Sequence, residues 1–299
     1  GMLMLGDKDY RPVYNASWHP EVRLREMDRD ALDHQLISAT PILFAYERAL
    51  EQALNCARMF NDKALEICSE GKGRLHALAQ VPLQDTDASC KEASRAKASG
   101  HVGIQIGNHV GLRNMDDEGI VTFLQHCASE EIPILVHPWD MFGGERTSRY
   151  MMGWTVAMPA ETQLSIVSMI LGGTFDRVSR DLKICFAHGG GSFVFLLGRL
   201  ENAWHHRDIA RGESRHPPSH YLDRFHLDSA VFDDGALRLL LEKMGEDRLM
   251  FGTDYPFPLG EQNMGELVRE AGFLSETARQ KILGSNAMQF FNIPETGGS

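Results

Sequence analysis

Three polar residues stand where three apolar runs stop: His137 after IPILV, His188 after KICFA and Asp254 after LMFGT. Imidazole nitrogens and a carboxylate oxygen are the donors that zinc-like divalent ions take. A set of this kind with an open position leaves room for water, whose pKa such an ion lowers to about 7. One strand-end histidine is commonplace and usually just hydrogen bonded; three such residues on three runs point to a shared site. Pro138–Trp139–Asp140 follows His137 as a stiff turn with an aromatic wall, and Tyr255–Pro256–Phe257–Pro258 follows Asp254 as a stiff apolar loop. Gly189–Gly190–Gly191–Ser192 follows His188. Those glycines either bring backbone close to a ligand at a helix start or simply make a tight strand-to-helix turn.

The elements that must position these residues alternate. Strand patterns fall at 34–40, 75–81, 102–106, 132–137, 182–188, 225–229 and 249–254. Helical patterns fall within 41–70 and at 86–99, 116–129, 160–171, 192–211, 234–244 and 275–291. Alternation of this kind predicts a parallel sheet covered by helices. Residues at the C-terminal ends of its strands are where a TIM (β/α)₈ barrel builds its active site. A doubly wound open sheet would be expected to carry a G-x-G-x-x-G loop after its first strand, and the sequence has none. The pattern therefore predicts one barrel domain over residues 1–299, irregular over 1–20, with seven strands where a closed barrel needs eight.

The 299 residues carry a formal charge of −11, with 43% hydrophobic and 24% charged residues. That balance fits a globular protein and argues against a nucleic-acid binder, which would show a basic stripe. No apolar run approaches the roughly 20 residues of a membrane span, and the N-terminus has no signal-peptide pattern. The five scattered cysteines form no C-x-x-C pair, as expected for reduced thiols in a cytoplasmic protein.

The segments HPWDMFGG, CFAHGGGSFVFLLGRLENAW and FGTDYPFPLGE resemble the amidohydrolase-2 branch of the amidohydrolase superfamily. LAQVPLQD, CKEASRA and GIQIGNH narrow the resemblance to the aminocarboxymuconate-semialdehyde decarboxylases, over residues 10–292. The resemblance implies a carboxy-lyase of tryptophan (kynurenine) or 2-nitrobenzoate-type catabolism that needs a divalent metal, zinc foremost, and no organic cofactor. It places metal ligands on His137 and Asp254, and on His188 the group that activates the attacking water. It places substrate contacts on Arg11, Trp154 and Arg199, the last reaching across a homodimer interface. Arg207, further along the same helix, supports that interface or is simply solvated. The substrate implied is 2-amino-3-carboxymuconate-6-semialdehyde, decarboxylated after metal-activated water adds to its conjugated system. Another aromatic or muconate-like acid is the alternative within the branch.

One departure stands out. The family holds its metal partly through an H-x-H pair on the first strand, and no H-x-H occurs in this sequence. Adjacent His205 and His206 cannot replace it, because on a helix they point about 100° apart. The missing strand and the missing ligands are expected to be one omission, either through a start placed at an internal Met or in a naturally short homologue that is inactive. On either account the metal is expected to be weakly held, and something is expected to cover the resulting gap: the N-terminal segment, a subunit contact or disorder in loops such as 141–155.

Overall fold

The computed structural model describes residues 1–294, apart from the side chains of Leu5, Lys8, Tyr10 and Arg11. All seven expected strands are present as one parallel sheet. They are β3 (Gln35–Ile37), β4 (Leu75–Ala79), β5 (Gly103–Gly107), β6 (Ile134–His137), β7 (Ile184–Phe186), β8 (His226–Asp228) and β9 (Leu249–Met250), hydrogen bonded in chain order. The intervening helices are α2 (Leu50–Ser69), α3 (Thr86–Ser99), α4 (Glu118–Ser129), α5 (Met158–Leu171), the single turn α6 (Thr174–Arg177), α7 (Phe193–His206) and α8 (Asp234–Met244). Asp85, Asp117 and Asp233 accept hydrogen bonds from the first-turn amides of α3, α4 and α8, which sets where those helices start.

Side chains alternate across each strand. Outward residues such as Ala79, Ile104, Ile106, Ile134, Val136, Ile184, Phe186 and Leu227 pack under the helices in the main core. Inward residues Leu78, Cys185 and Met250, with Leu36 and Leu135 against them, form a separate cluster closed by Phe290 and Phe291. Gly103 permits this closure: a Cβ there would meet Leu78 and Phe291 at 3.1 and 3.2 Å. Polar inward residues are thereby left for the opposite end, where the strands finish.

Two segments differ from expectation. The opening residues, expected to be irregular, form an antiparallel hairpin of β1 (Met2–Leu5) and β2 (Lys8–Pro12). Its turn uses Gly6 at φ 62°, and Gly6–Asp7 is the kind of two-residue signal that favours such turns. The second difference is α1 (Pro20–Arg29). Pro20 opens it at a position where a missing N–H costs nothing. Its charged residues hide a narrow apolar face, Leu24 and Met27, which packs with Leu32, Leu75 and Met264 and against Ile37, Phe251 and Tyr255.

That packing answers the expected gap. Among the described residues β3 and β9 are the two outer strands of the sheet, and α1 lies over the seam between them. Arg23, buried, donates from Nη1 to Gln35 Oε1 on β3 at 2.8 Å and sits 5.0 Å from the Tyr255 ring on the β9 side. Tyr255 in turn donates to Glu26. The N-terminal segment is therefore what covers the seam.

Met27 is fully buried, so Met27→Ala should cost about 2–5 kcal/mol in urea unfolding. A cost below about 1 kcal/mol would show that α1 is dispensable cover. His226, at the start of β8 against Phe290, has its pKa lowered to about 4 by burial, with Arg248 and Lys183 adding to the effect. A histidine held neutral in the fold but titrating near 6.5 when unfolded stabilises the fold above pH 6.5, and this contribution is lost as the pH falls toward 4. His226→Gln should therefore reduce the stability lost between pH 7 and 5 by on the order of 1–2 kcal/mol; an unchanged pH slope would contradict this.

Candidate active site

His137 ends β6, His188 follows β7 and Asp254 lies four residues beyond β9. Distant in sequence, they converge at the C-terminal end of the barrel, with one donor atom from each within 4.8 Å of the others. The His137 and His188 rings meet edge to face at 4.9 Å between centroids. The His137 imidazole and the Asp254 carboxylate at this spacing are donors that a single ion with bonds of about 2.0–2.2 Å can draw together, so the pair fits a zinc- or manganese-like divalent metal with the His188 ring beside it.

The backbone around these donors is strained. His188 has φ 57° and Asp254 φ 56°, in the left-handed region that costs a non-glycine residue about 1–2 kcal/mol. Packing holds both there. After His188, Gly189 and Gly191 at φ 60° and 63° admit what no side chain would: a Cβ would fall 2.4 Å from Val231 and 1.9 Å from the Pro159 carbonyl oxygen. The glycine run is therefore required by packing, and α7 starts directly after it. Beside Asp254, Tyr255 is tied to α1 through Glu26 and Arg23.

His137 donates from Nδ1 to the Pro138 carbonyl at 2.9 Å. A carbonyl can only accept, so the ring's lone pair lies on Nε2. The loop that follows is braced by a buried network. Glu161 on α5 accepts from Asn108 Nδ2 at 3.0 Å and from the Phe142 N–H at 3.1 Å, while Asn108 Oδ1 accepts from the Trp139 N–H at 3.0 Å. Trp139, read from the sequence as an aromatic wall, packs edge-on to Tyr46 at 5.1 Å and donates Nε1 to the His109 carbonyl. Burial lowers the His188 pKa to about 4, so its imidazole is neutral at physiological pH.

One acid at the site was not singled out from the sequence. Asp228 ends β8 and accepts from the Gly189 N–H at 2.9 Å and the Ala230 N–H at 3.1 Å. Burial raises its pKa, against the opposing effect of these amides and of nearby His137. Gly252 makes room for it, since a Cβ there would stand 2.7 Å from its carboxylate. The rule that picked out the other three, a polar residue at the end of an apolar strand, applies equally to Asp228 in FHLDS.

The other expected contacts are carried by other elements. Trp154 is half-buried in the wide turn Gly153–Ala157 ahead of α5. Arg199 is exposed on α7. Arg11 is on β2, and its side chain lies outside the described residues.

An amidohydrolase family model matches residues 11–293. The chain belongs to that family. It is 39% identical over 293 residues to a 2-amino-3-carboxymuconate-6-semialdehyde decarboxylase of Dictyostelium discoideum, covering 97% of this chain and 81% of that protein. It is 26% identical over 292 residues to a gamma-resorcylate decarboxylase of Rhodococcus jostii, covering 91% of this chain and 87% of the relative. Both relatives are carboxy-lyases, the enzyme type that the motifs implied. The fold matches that of a dihydroxybenzoic acid decarboxylase from Polaromonas, solved with bound manganese and the inhibitor 2-nitroresorcinol. That match has a TM-score of 0.83 at 22% identity and covers 91% of this chain and 85% of that one. The family's barrel is thus confirmed, with seven of its parallel strands among the described residues. None of the helices described is long and apolar enough to cross a membrane.

Titration with manganese or zinc should reveal one site per chain, and His137→Ala or Asp254→Ala should weaken it about tenfold or more. Binding unchanged in both variants would place the ion elsewhere.

Proposed function

We propose that this protein is a metal-dependent carboxy-lyase that decarboxylates 2-amino-3-carboxymuconate-6-semialdehyde, acting as a single barrel domain. The observation that carries this reading is the convergence of His137, His188 and Asp254 at the C-terminal end of the barrel. It is supported by the 39% identity to a decarboxylase of that substrate. A divalent ion held by His137 and Asp254, zinc by our reading, supplies Lewis-acid activation of water and substrate.

The protein's own groups do the rest. His188, neutral above about pH 4, takes the proton of the water whose hydroxide adds to the conjugated system and passes it to the carbon that bears the leaving carboxylate; as the bond to carbon dioxide breaks, its electron pair restores the double bond and expels the hydroxide. The Gly189 and Ala230 amides hold Asp228 in place beside the turn that carries His188. Arg11 and Arg199 neutralise the substrate's carboxylates, and Trp154 lines the approach. Arg199 serves the site of a second copy in a homodimer; its exposure on α7, one turn from Phe195 at 78% exposure, supports this. Positioning and charge placement by fixed groups account for the catalysis.

A second reading, decarboxylation of a hydroxylated aromatic acid, is favoured by the gamma-resorcylate decarboxylase relative. Absorbance separates the two. The metal-loaded protein should bleach the conjugated semialdehyde with release of carbon dioxide and leave dihydroxybenzoates unchanged; the reverse pattern selects the second reading. His188→Ala should keep its metal and lose about 10²–10⁴-fold in turnover. Turnover retained by that variant would remove His188 from the chemistry.

A further inference from the structure

Among the described residues, four buried side-chain polar atoms have no hydrogen-bond partner: Thr40 Oγ1, Gln80 Nε2, Gln80 Oε1 and Gln84 Oε1. All four lie just beyond the C-terminal ends of β3 and β4, at the same end of the barrel as the candidate metal donors. Gln80 is the most telling, being only 2% exposed with neither end of its amide paired. Buried polar groups in folded proteins are nearly always satisfied, so an amide left in this state calls for a reason.

The placement of Gln80 supplies that reason. Ala79 and Val81 belong to the outer core and Leu78 to the inner cluster. By alternation, Gln80 points inward, two residues nearer the strand end than Leu78. Beside it on one flank, Gln105 of β5, level with Gln80 when the β4–β5 register is carried one residue on, reaches across β4, donating Nε2 to the Ala39 carbonyl at 3.0 Å and accepting from Ser38. Thr40 stands beside Gln80: β3 and β4 pair Ile37 with Ala77, and the same register carried three residues on brings Thr40 level with Gln80.

The Gln80 backbone is fixed. Asn61, itself buried, donates to the Gln80 carbonyl at 2.9 Å and accepts its N–H at 2.8 Å. A clamped main chain that carries an unpaired amide is how a recognition group is pre-organised.

We propose that Gln80 and Thr40 form a polar subsite that reads an amino or hydroxyl donor set beside a carboxylate on the substrate. The chemistry follows from the atoms. Gln80 Nε2 can only donate and Oε1 can only accept, while the Thr40 hydroxyl does either. A ligand offering carboxylates alone satisfies Nε2 and leaves Oε1 unpaired. A ligand with an N–H or O–H next to a carboxylate pairs both ends of the amide. The subsite rests on the decarboxylase reading above and deepens it: a donor-bearing acid is selected over the same acid without the donor.

The test uses the manganese-loaded protein and three probes, 2-aminobenzoate, 2-hydroxybenzoate and benzoate, with affinities measured by calorimetry. The unchanged protein should bind at least one donor-bearing acid about tenfold more tightly than benzoate, and the stronger of the two tells whether an amino or a hydroxyl group is preferred. Gln80→Met, close in shape, should bring that ratio near one and, in the absence of ligand, raise Tm, because it removes an unpaired buried amide. Thr40→Val should lower the ratio by a smaller factor. Equal affinity for all three acids in the unchanged protein overturns the subsite and leaves the decarboxylase reading standing on carbon dioxide release. A ratio that survives Gln80→Met, or a fall in Tm of several degrees in that variant, also overturns it. Binding of none of the acids, together with no carbon dioxide release, overturns both.

Discussion

The two outer strands of the curled sheet, β3 and β9, have to be covered, and the helix that covers them also secures the active end of the barrel. Unpaired strand edges beside an apolar interior invite water or another chain. Here α1 lies over the seam with Leu24 and Met27 inward, and Arg23 ties Gln35 on one side to Tyr255 on the other. Tyr255 adjoins Asp254. The same contacts that close the seam therefore anchor the loop holding one of the three candidate metal donors, so the stability of the seam and the geometry of the site are coupled.

The rest of the site follows the same logic, with each functional group held by something behind it. His137 is oriented by the Pro138 carbonyl, and its loop by Glu161 and Asn108. His188 is placed by a glycine turn that packing requires, with Asp228 fastened to the amides around it. Left-handed backbone at both His188 and Asp254 is affordable only because these surroundings leave no alternative. Against this well-satisfied background the unpaired amide of Gln80 is an exception that lies at the same barrel end.

Much of this was visible in the linear chain. All seven strands, in their places, follow from short apolar runs between turn residues, and the helices over 86–99 and 234–244 agree with the pattern to the residue. The three polar residues that end apolar runs do meet, because parallel strands joined by helices bring all their C-terminal ends to one end of the barrel. Helix α1 was missed because most of its residues are charged and only a narrow apolar face is buried. The N-terminal hairpin was missed because Gly6–Asp7 is a small signal in a short segment.

By itself the sequence determined the order of elements, the parallel sheet, the end at which chemistry gathers and the family, since these depend on local periodicity and on motifs read along the chain. It also determined that no H-x-H is present. Only the tertiary structure decided that α1 covers the seam, that Asp228 is fastened to the turn after His188, and that Gln80 and Thr40 keep unpaired polar atoms at the same end of the barrel. Those facts concern which groups lack partners and which surfaces lie uncovered, and both arise from contacts between residues far apart in the chain.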